Sequence, residues 1–214
     1  MEGGPAARDG SEGVVRRIIV GQFKQPHGML GRVAGWIMSH RESNLLRNEW
    51  VVSLLGIEPS HCVLEIGCGP GVALGEAAEL ASEGRVIGVD HSALMVAVAA
   101  KRNADAIARG RLEVIHGTAE SAAQLGMRFD RVFAVNVVQF WDSPVETLRT
   151  LRGAMAPGGI LAVALQPRNR GATDEDAYPA AGRHETFLQQ AGFQKTRVET
   201  LDLKPIVACV LGEA

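Results

Sequence analysis

The sequence predicts an α/β fold: a doubly wound sheet of seven strands, mostly parallel, with an antiparallel hairpin at its C-terminal edge and a helical lid in front of it. Three observations carry that reading. Between residues 61 and 165, short apolar runs alternate with helical stretches five times in succession, the pattern of βα units feeding a parallel sheet. The last of those runs, 160–165, is continuously apolar, as suits a strand covered on both faces. Two further β-rich runs, 193–201 and 205–211, are separated only by Asp202, Leu203 and Lys204, which reads as a hairpin.

The elements follow in order. Residues 1–13 form a Gly/Ala-rich tail without an apolar signal core and are expected to be disordered. Residues 14–56 are helical and polar-rich, with Trp36, Ile37, Leu45, Leu46, Trp50, Val51, Leu54 and Leu55 recurring at threes and fours. Gly28, Gly31 and Gly35 break that pattern early, so the segment reads as a mobile opening followed by one or two lid helices that stop at Gly56. Residues 57–214 then hold the sheet. Its strands are expected at 61–66, 85–89, 112–115, 131–135 and 160–165, with helices to about 82, over 92–108 and from Pro144 to about 155. Ser143-Pro144-Val145-Glu146 predicts a capping box with proline at the first helical position. Residues 168–180 are polar and read as a surface excursion before a last helix over 182–190.

Composition bounds the function. A chain of 214 residues is one domain with a short appendage, and 46% hydrophobic with 21% charged residues supports a packed core. Lys and Arg total 22 against 24 Asp and Glu, so no global positive field exists to collect nucleic acid or anionic lipid. Cys62, Cys68 and Cys209 are odd in number and lack a Cys-x-x-Cys pair, which argues against a disulfide frame and a metal site and for reduced thiols in a cytoplasmic protein. No apolar stretch reaches the ~20 residues a membrane span needs.

The chemistry concentrates at Val63-Leu64-Glu65-Ile66-Gly67-Cys68-Gly69-Pro70-Gly71, where a strand gives way to a helix. Three glycines at alternate positions let the backbone bend sharply and a bulky ligand approach its N–H groups. At the end of the next strand stands Asp90, a carboxylate suited to a ribose diol. Together they describe a nucleoside cradle, which dinucleotides and S-adenosylmethionine both use. The spacing Gly67-x-Gly69-x-Gly71 departs from G-x-G-x-x-G, although Ala73 leaves room for a dinucleotide. The single tyrosine, Tyr178, has Gly182 rather than lysine four residues on, so a Tyr-x-x-x-Lys hydride pair is absent. Glu65 disfavours a pyrophosphate and favours a sulfonium or ammonium.

Residues 63–71 resemble motif I of the class I S-adenosylmethionine-dependent methyltransferases. Gly88-Val89-Asp90-His91-Ser92 resembles the family's second acidic motif, Gly117-Thr118-Ala119-Glu120 its adenine loop, Phe129-Asp130 the opening of strand four, and Leu151-Arg152 through Pro157-Gly158-Gly159 its approach to strand five. Met38-Ser39-His40-Arg41 with Asn44, Asn48 and Trp50 is similar to a bacterial small-molecule subgroup of the type 11 kind. The resemblance implies a Rossmann-like sheet and S-adenosylmethionine as cofactor. Glu65, Gly67, Cys68, Gly69 and Gly71 would surround its methionine and ribose, Asp90 and His91 its ribose, Thr118, Ala119 and Glu120 its adenine, and Asn136 the reacting methyl.

Asn136-Val137-Val138-Gln139-Phe140-Trp141 lies at the carboxyl end of strand four, where Gln139 and Trp141 are expected to wall the acceptor pocket. It is not Asn/Asp-Pro-Pro-Tyr, which, with the near-neutral charge, disfavours nucleic acid. No catalytic base is singled out; His27 and His40, in the lid segment, are the candidates on the acceptor side, ahead of His61, His91, His116 and His184. The expected activity is methyl transfer to an oxygen or nitrogen of a small molecule, a secondary metabolite, quinone, lipid or sugar. The alternatives are a nicotinamide-dependent oxidoreductase and a non-catalytic nucleoside-binding protein. Edge hairpin or lid helices could pair two copies.

Overall fold

A computed structural model of the chain describes residues 42–168 and 171–214. The expectations for the tail, for the lid before residue 42, and for His27 and His40 lie outside the described residues.

Seven strands form a single sheet in the order β3-β2-β1-β4-β5-β7-β6. They are β1 (Cys62–Ile66), β2 (Arg85–Asp90), β3 (Leu112–His116), β4 (Phe129–Val135), β5 (Met155–Leu165), β6 (Gln194–Leu201) and β7 (Val207–Glu213). β1 to β5 are mutually parallel, and β7 slots antiparallel between β5 and β6. The helices are α1 (Glu42–Leu54), α2 (Val72–Leu80), α3 (Ala93–Arg102), α4 (Ala104–Ala108), α5 (Ala119–Ala123), α6 (Pro144–Gly153) and α7 (Ala177–Gln190).

Alternation along each strand sends successive side chains to opposite faces. Leu64, Ile66, Ile87, Val89, Val132 and Leu161 pack with Leu148, Leu151 and Leu188 of α6 and α7. Val63, Val86, Phe133 and Ala162 pack on the other face with Val51, Val52 and Leu55 of α1 and Ala73, Leu74 and Ala77 of α2. Because Glu65 shares the parity of Val63, its side chain belongs to the α1/α2 face.

Several boundaries differ from the sequence expectation, each for a local reason. The helix expected over 92–108 is split at Asn103, whose Nδ2 donates to Gly71 O and Ala99 O, both at 2.9 Å. No capping box forms at Ser143: its side chain makes no cap bond, and Glu146 instead pairs with Arg149 at 2.6 Å. Pro144 does occupy the first turn. β5 begins at Met155 because Met155 pairs with Phe129, and the pairing resumes at Ile160 opposite Arg131 with Pro157-Gly158-Gly159 bulged out between. α7 starts at Ala177, with Pro179 in its first turn, where a missing N–H leaves nothing unbonded. The acidic residues before it are pinned, since Thr173 N donates to Asp176 Oδ2 and Ile206 N to Asp174 Oδ1, both at 2.8 Å. No helix among the described residues is long and apolar enough to cross a membrane.

α1 runs against the strands. Its C-terminal carbonyls accept from Arg131 at the start of β4, with Nε 2.6 Å from Leu55 O, while Arg47 near its N-terminus reaches Gln166, just past β5. Its N-terminal half therefore overhangs the carboxyl edge of the sheet.

Candidate functional site

The glycine turn lies at that carboxyl edge, between β1 and α2. A Cβ on Gly67 would meet Val137 Cγ2 at 2.5 Å, so the first glycine lets the turn press against the segment after β4. A Cβ on Gly71 would meet Asn103 Nδ2 at 2.7 Å and Ala99 Cβ at 2.8 Å, so the third serves the packing of α2 on α3 rather than a ligand. Gly69 differs. Its φ is +52° and a Cβ there would meet nothing within 4 Å, so the bend opens onto free space. Gly67 N and Cys68 N donate to Val89 O, Gly69 N to Asp90 Oδ2 and Gly71 N to Cys68 O, while Pro70 has no N–H. The turn offers shape and a Cβ-free surface, not donors. The Cys68 side chain is buried with Leu74 and Ala77, so only its backbone belongs to the turn.

Asp90 is 5% exposed and ends β2 beside this bend. Its Oδ2 accepts from Gly69 N at 2.8 Å and its Oδ1 from Ser92 N at 2.9 Å, which fixes the carboxylate and leaves further lone pairs on each oxygen. His91 is exposed, with Nδ1 3.8 Å from Asp90 Oδ1, and its carbonyl lies 2.9 Å from His116 Nε2. Thr118 is the N-cap of α5, in a reciprocal box with Ser121, and the Ala119 side chain is core. Glu120 Oε1 accepts from Thr147 Oγ1 of α6 at 3.0 Å. Partial burial raises its carboxyl, but bonds from its own backbone, Thr118 and Thr147 outweigh that and hold it below the usual range. The loop expected at adenine is therefore held chiefly by its own caps.

Beyond β4, Asn136 adopts φ +56°. Its N donates to Ala164 O at 2.8 Å and its Oδ1 accepts from Gln166 N at 2.7 Å, clamping the ends of β4 and β5 together. Gln139 is exposed and donates from Nε2 to Asn136 O at 2.8 Å, and Trp141 is half-buried against the α6/α7 core.

Two buried ionisable side chains stand out here. Glu65 is 3% exposed and its Oε2 has no hydrogen-bond partner among the described residues. Burial first and the Asp90 charge second push its carboxyl well above the usual range. Arg47 is 4% exposed, and its Nε has no partner among the described residues either. Its Nη1 donates to Gln166 Oε1 at 2.8 Å and Nη2 to Asn44 Oδ1 at 2.7 Å. Burial first and Arg168 second lower its guanidinium to about 9. A buried carboxyl with Oε2 unbonded and a buried guanidinium with Nε unbonded, at the same edge of the sheet, suit a ligand that carries both an ammonium and a carboxylate. With the open bend at Gly69 and the fixed Asp90, these residues fit S-adenosylmethionine, whose ends are a nucleoside and an amino acid.

Arg47 is the residue that the sequence reading passed over, although it named Asn44 and Asn48 on either side. The available signal was the helical period: the buried residues are Asn44, Arg47, Asn48, Val51 and Val52 of α1 and Leu55 just after it, one stripe at threes and fours. Leu45 and Leu46, expected on the apolar face, are 39% and 43% exposed. Among the described residues no cluster of three His, Cys, Asp or Glu is placed to hold a metal.

Residues 63–159 match the model of a methyltransferase domain. The chain is 27% identical over 173 residues to the uncharacterized methyltransferase YdaC of Bacillus subtilis, covering 81% of this chain and 92% of that protein. It is 34% identical over 107 residues to a ubiquinone biosynthesis O-methyltransferase of Cereibacter sphaeroides, covering 50% of this chain and 42% of the relative. The fold matches magnesium protoporphyrin IX methyltransferase of Synechocystis, solved with S-adenosylhomocysteine bound, at TM-score 0.67 and 17% identity over 92% of this chain and 98% of that one. The matched domain, the near full-length relative and the shared sheet agree in supporting a class I S-adenosylmethionine-dependent methyltransferase with S-adenosylmethionine as its cofactor.

Proposed function

We propose that this methyltransferase acts on an oxygen or nitrogen of a small molecule, with the cofactor laid across the carboxyl edge of the sheet from Asp90 to Arg47. The observation that carries the reading is the pair of buried, unpartnered atoms, Glu65 Oε2 and Arg47 Nε. Asp90 would accept the ribose hydroxyls, the open side of Gly69 would admit the sugar, Glu65 would meet the ammonium of the methionine end, and Arg47 would meet its carboxylate. When bound, S-adenosylmethionine would supply a methyl group on a sulfonium, taken in line by the acceptor as the carbon–sulfur bond breaks and S-adenosylhomocysteine leaves.

The chain's own part in that displacement is positional. Asn136, held by Ala164 and Gln166, keeps the edge beyond β4 and β5 in a fixed shape. Gln139, Phe140 and Trp141 border the space in which an acceptor would sit, and the half-buried aromatic rings exclude water from that side. The oxygen acceptor named for the ubiquinone relative supports the oxygen arm of the proposal. Methyl-labelled cofactor incubated with panels of phenols, carboxylic acids and amines, followed by mass spectrometry, tests the reading. Label in one chemical family of small molecules is the expected result; label only in protein or nucleic acid contradicts it.

A further inference from the structure

Among the described residues Arg47 is held by two amides and by no carboxylate: its polar partners are the side-chain oxygens of Gln166 and Asn44. Both amides are themselves buried and fixed. Gln166 is 4% exposed, donates from Nε2 to Pro205 O at 2.9 Å, and gives its backbone N–H to Asn136 Oδ1 at 2.7 Å. Asn44 is 2% exposed, accepts additionally from Arg168, and offers its carbonyl to Asn48 Nδ2 at 2.7 Å.

Burying a guanidinium against neutral partners leaves its charge uncompensated, an expensive arrangement if the only task were to tie α1 to β5. A carboxylate at position 166 or 44 would do that better, and an apolar pair would avoid the cost altogether. The arrangement is sensible when the charge is kept for something that arrives later.

We propose that Gln166 and Asn44 are positioning residues that orient Arg47 without neutralising it, so that its charge remains available to the carboxylate at the methionine end of the cofactor. The proposal rests on the reading of Arg47 given above. Gln166 is the more consequential of the two, because the same residue also holds Asn136, and so links the guanidinium to the edge where the acceptor would lie.

The test compares S-adenosylhomocysteine with 5′-methylthioadenosine, which keeps the adenosine and the thioether but lacks the amino acid. Gln166→Glu places a carboxylate of nearly the same size against Arg47. Calorimetry is expected to show S-adenosylhomocysteine binding weakened about 10- to 100-fold, the scale of a lost charged hydrogen bond, with methylthioadenosine unchanged, whatever Tm is lost with the Nε2 bond to Pro205. Asn44→Asp makes the same test from the other amide and serves if the first variant does not fold. Gln166→Met, which removes the acceptor without adding charge, is expected to give the same selectivity with a smaller loss. Parallel weakening of both ligands together with a fall in Tm would mean a purely structural clamp and overturn the proposal, as would an unchanged preference in Gln166→Glu. Failure of the wild-type protein to bind S-adenosylhomocysteine would instead overturn the reading on which the proposal rests.

Discussion

The two ends of the proposed cofactor site are built in opposite ways. At the Asp90 end the carboxylate is complete without a ligand, each oxygen already bonded to a backbone N–H, from Gly69 or Ser92. At the other end Glu65 and Arg47 are buried with an atom apiece unbonded. The first end is thus part of the fold, and removing it harms folding and binding together. The second is a cost carried by the folded protein, and removing it is expected to harm binding while relieving the fold.

The largest expected effect is at Asp90. Asp90→Ala strands two backbone donors and deletes the ribose acceptor, so stability should fall by about 2–4 kcal/mol, with loss of S-adenosylhomocysteine and methylthioadenosine alike. Thermal denaturation and calorimetry read both. Arg47→Met sharpens the comparison from the opposite side: affinity for S-adenosylhomocysteine drops about 10- to 100-fold, methylthioadenosine is unaffected, and Tm holds or rises. A fall in Tm with equal loss of both ligands would erase the distinction between the two ends.

Glu65→Gln should weaken S-adenosylhomocysteine about 5- to 20-fold, the loss of one charge-assisted bond. It also carries a pH signature. The folded carboxyl titrates well above its unfolded value, so the folded state holds more protons, and the contribution is present at low pH and lost as pH rises through the folded pKa. The wild-type protein should therefore lose stability with rising pH over that interval, and the variant should lack that loss. The smallest effect separates shape from strain. Gly69 and Gly56 have φ of +52° and +55°, and a Cβ on either would meet nothing within 4 Å. Each change to alanine should cost about 1 kcal/mol of backbone strain, but only Gly69→Ala should weaken ligand binding.

The same contrast governs what the sequence could tell. The Asp90 end was legible because it rests on local pattern: strand, glycine turn, helix, strand and acid follow one another along the chain. The hairpin was legible for the same reason, although the placement of β7 between β5 and β6 depends on pairing distant in sequence. Arg47 was hidden because its importance lies in partners far along the chain, Gln166 being 119 residues away. Leu45 and Leu46 drew the eye to the wrong side of α1, since an arginine in a helical stripe ordinarily faces water. Asn136 was legible as a residue after strand four, but its clamp on β5 was not, because its oxygen accepts from Gln166 N, 30 residues on. Ser143 and Glu146 had capping-box spacing, yet Glu146 found Arg149 instead. Spacing states which residues can meet, and competing partners decide which do.

The most direct test of the central claim is diffraction from crystals grown with S-adenosylhomocysteine. The account predicts ribose hydroxyls on Asp90, the α-ammonium on Glu65 Oε2 and the carboxylate on Arg47 Nε, each within about 3.2 Å. A bound ligand whose amino-acid end leaves both Glu65 Oε2 and Arg47 Nε without partners would contradict it.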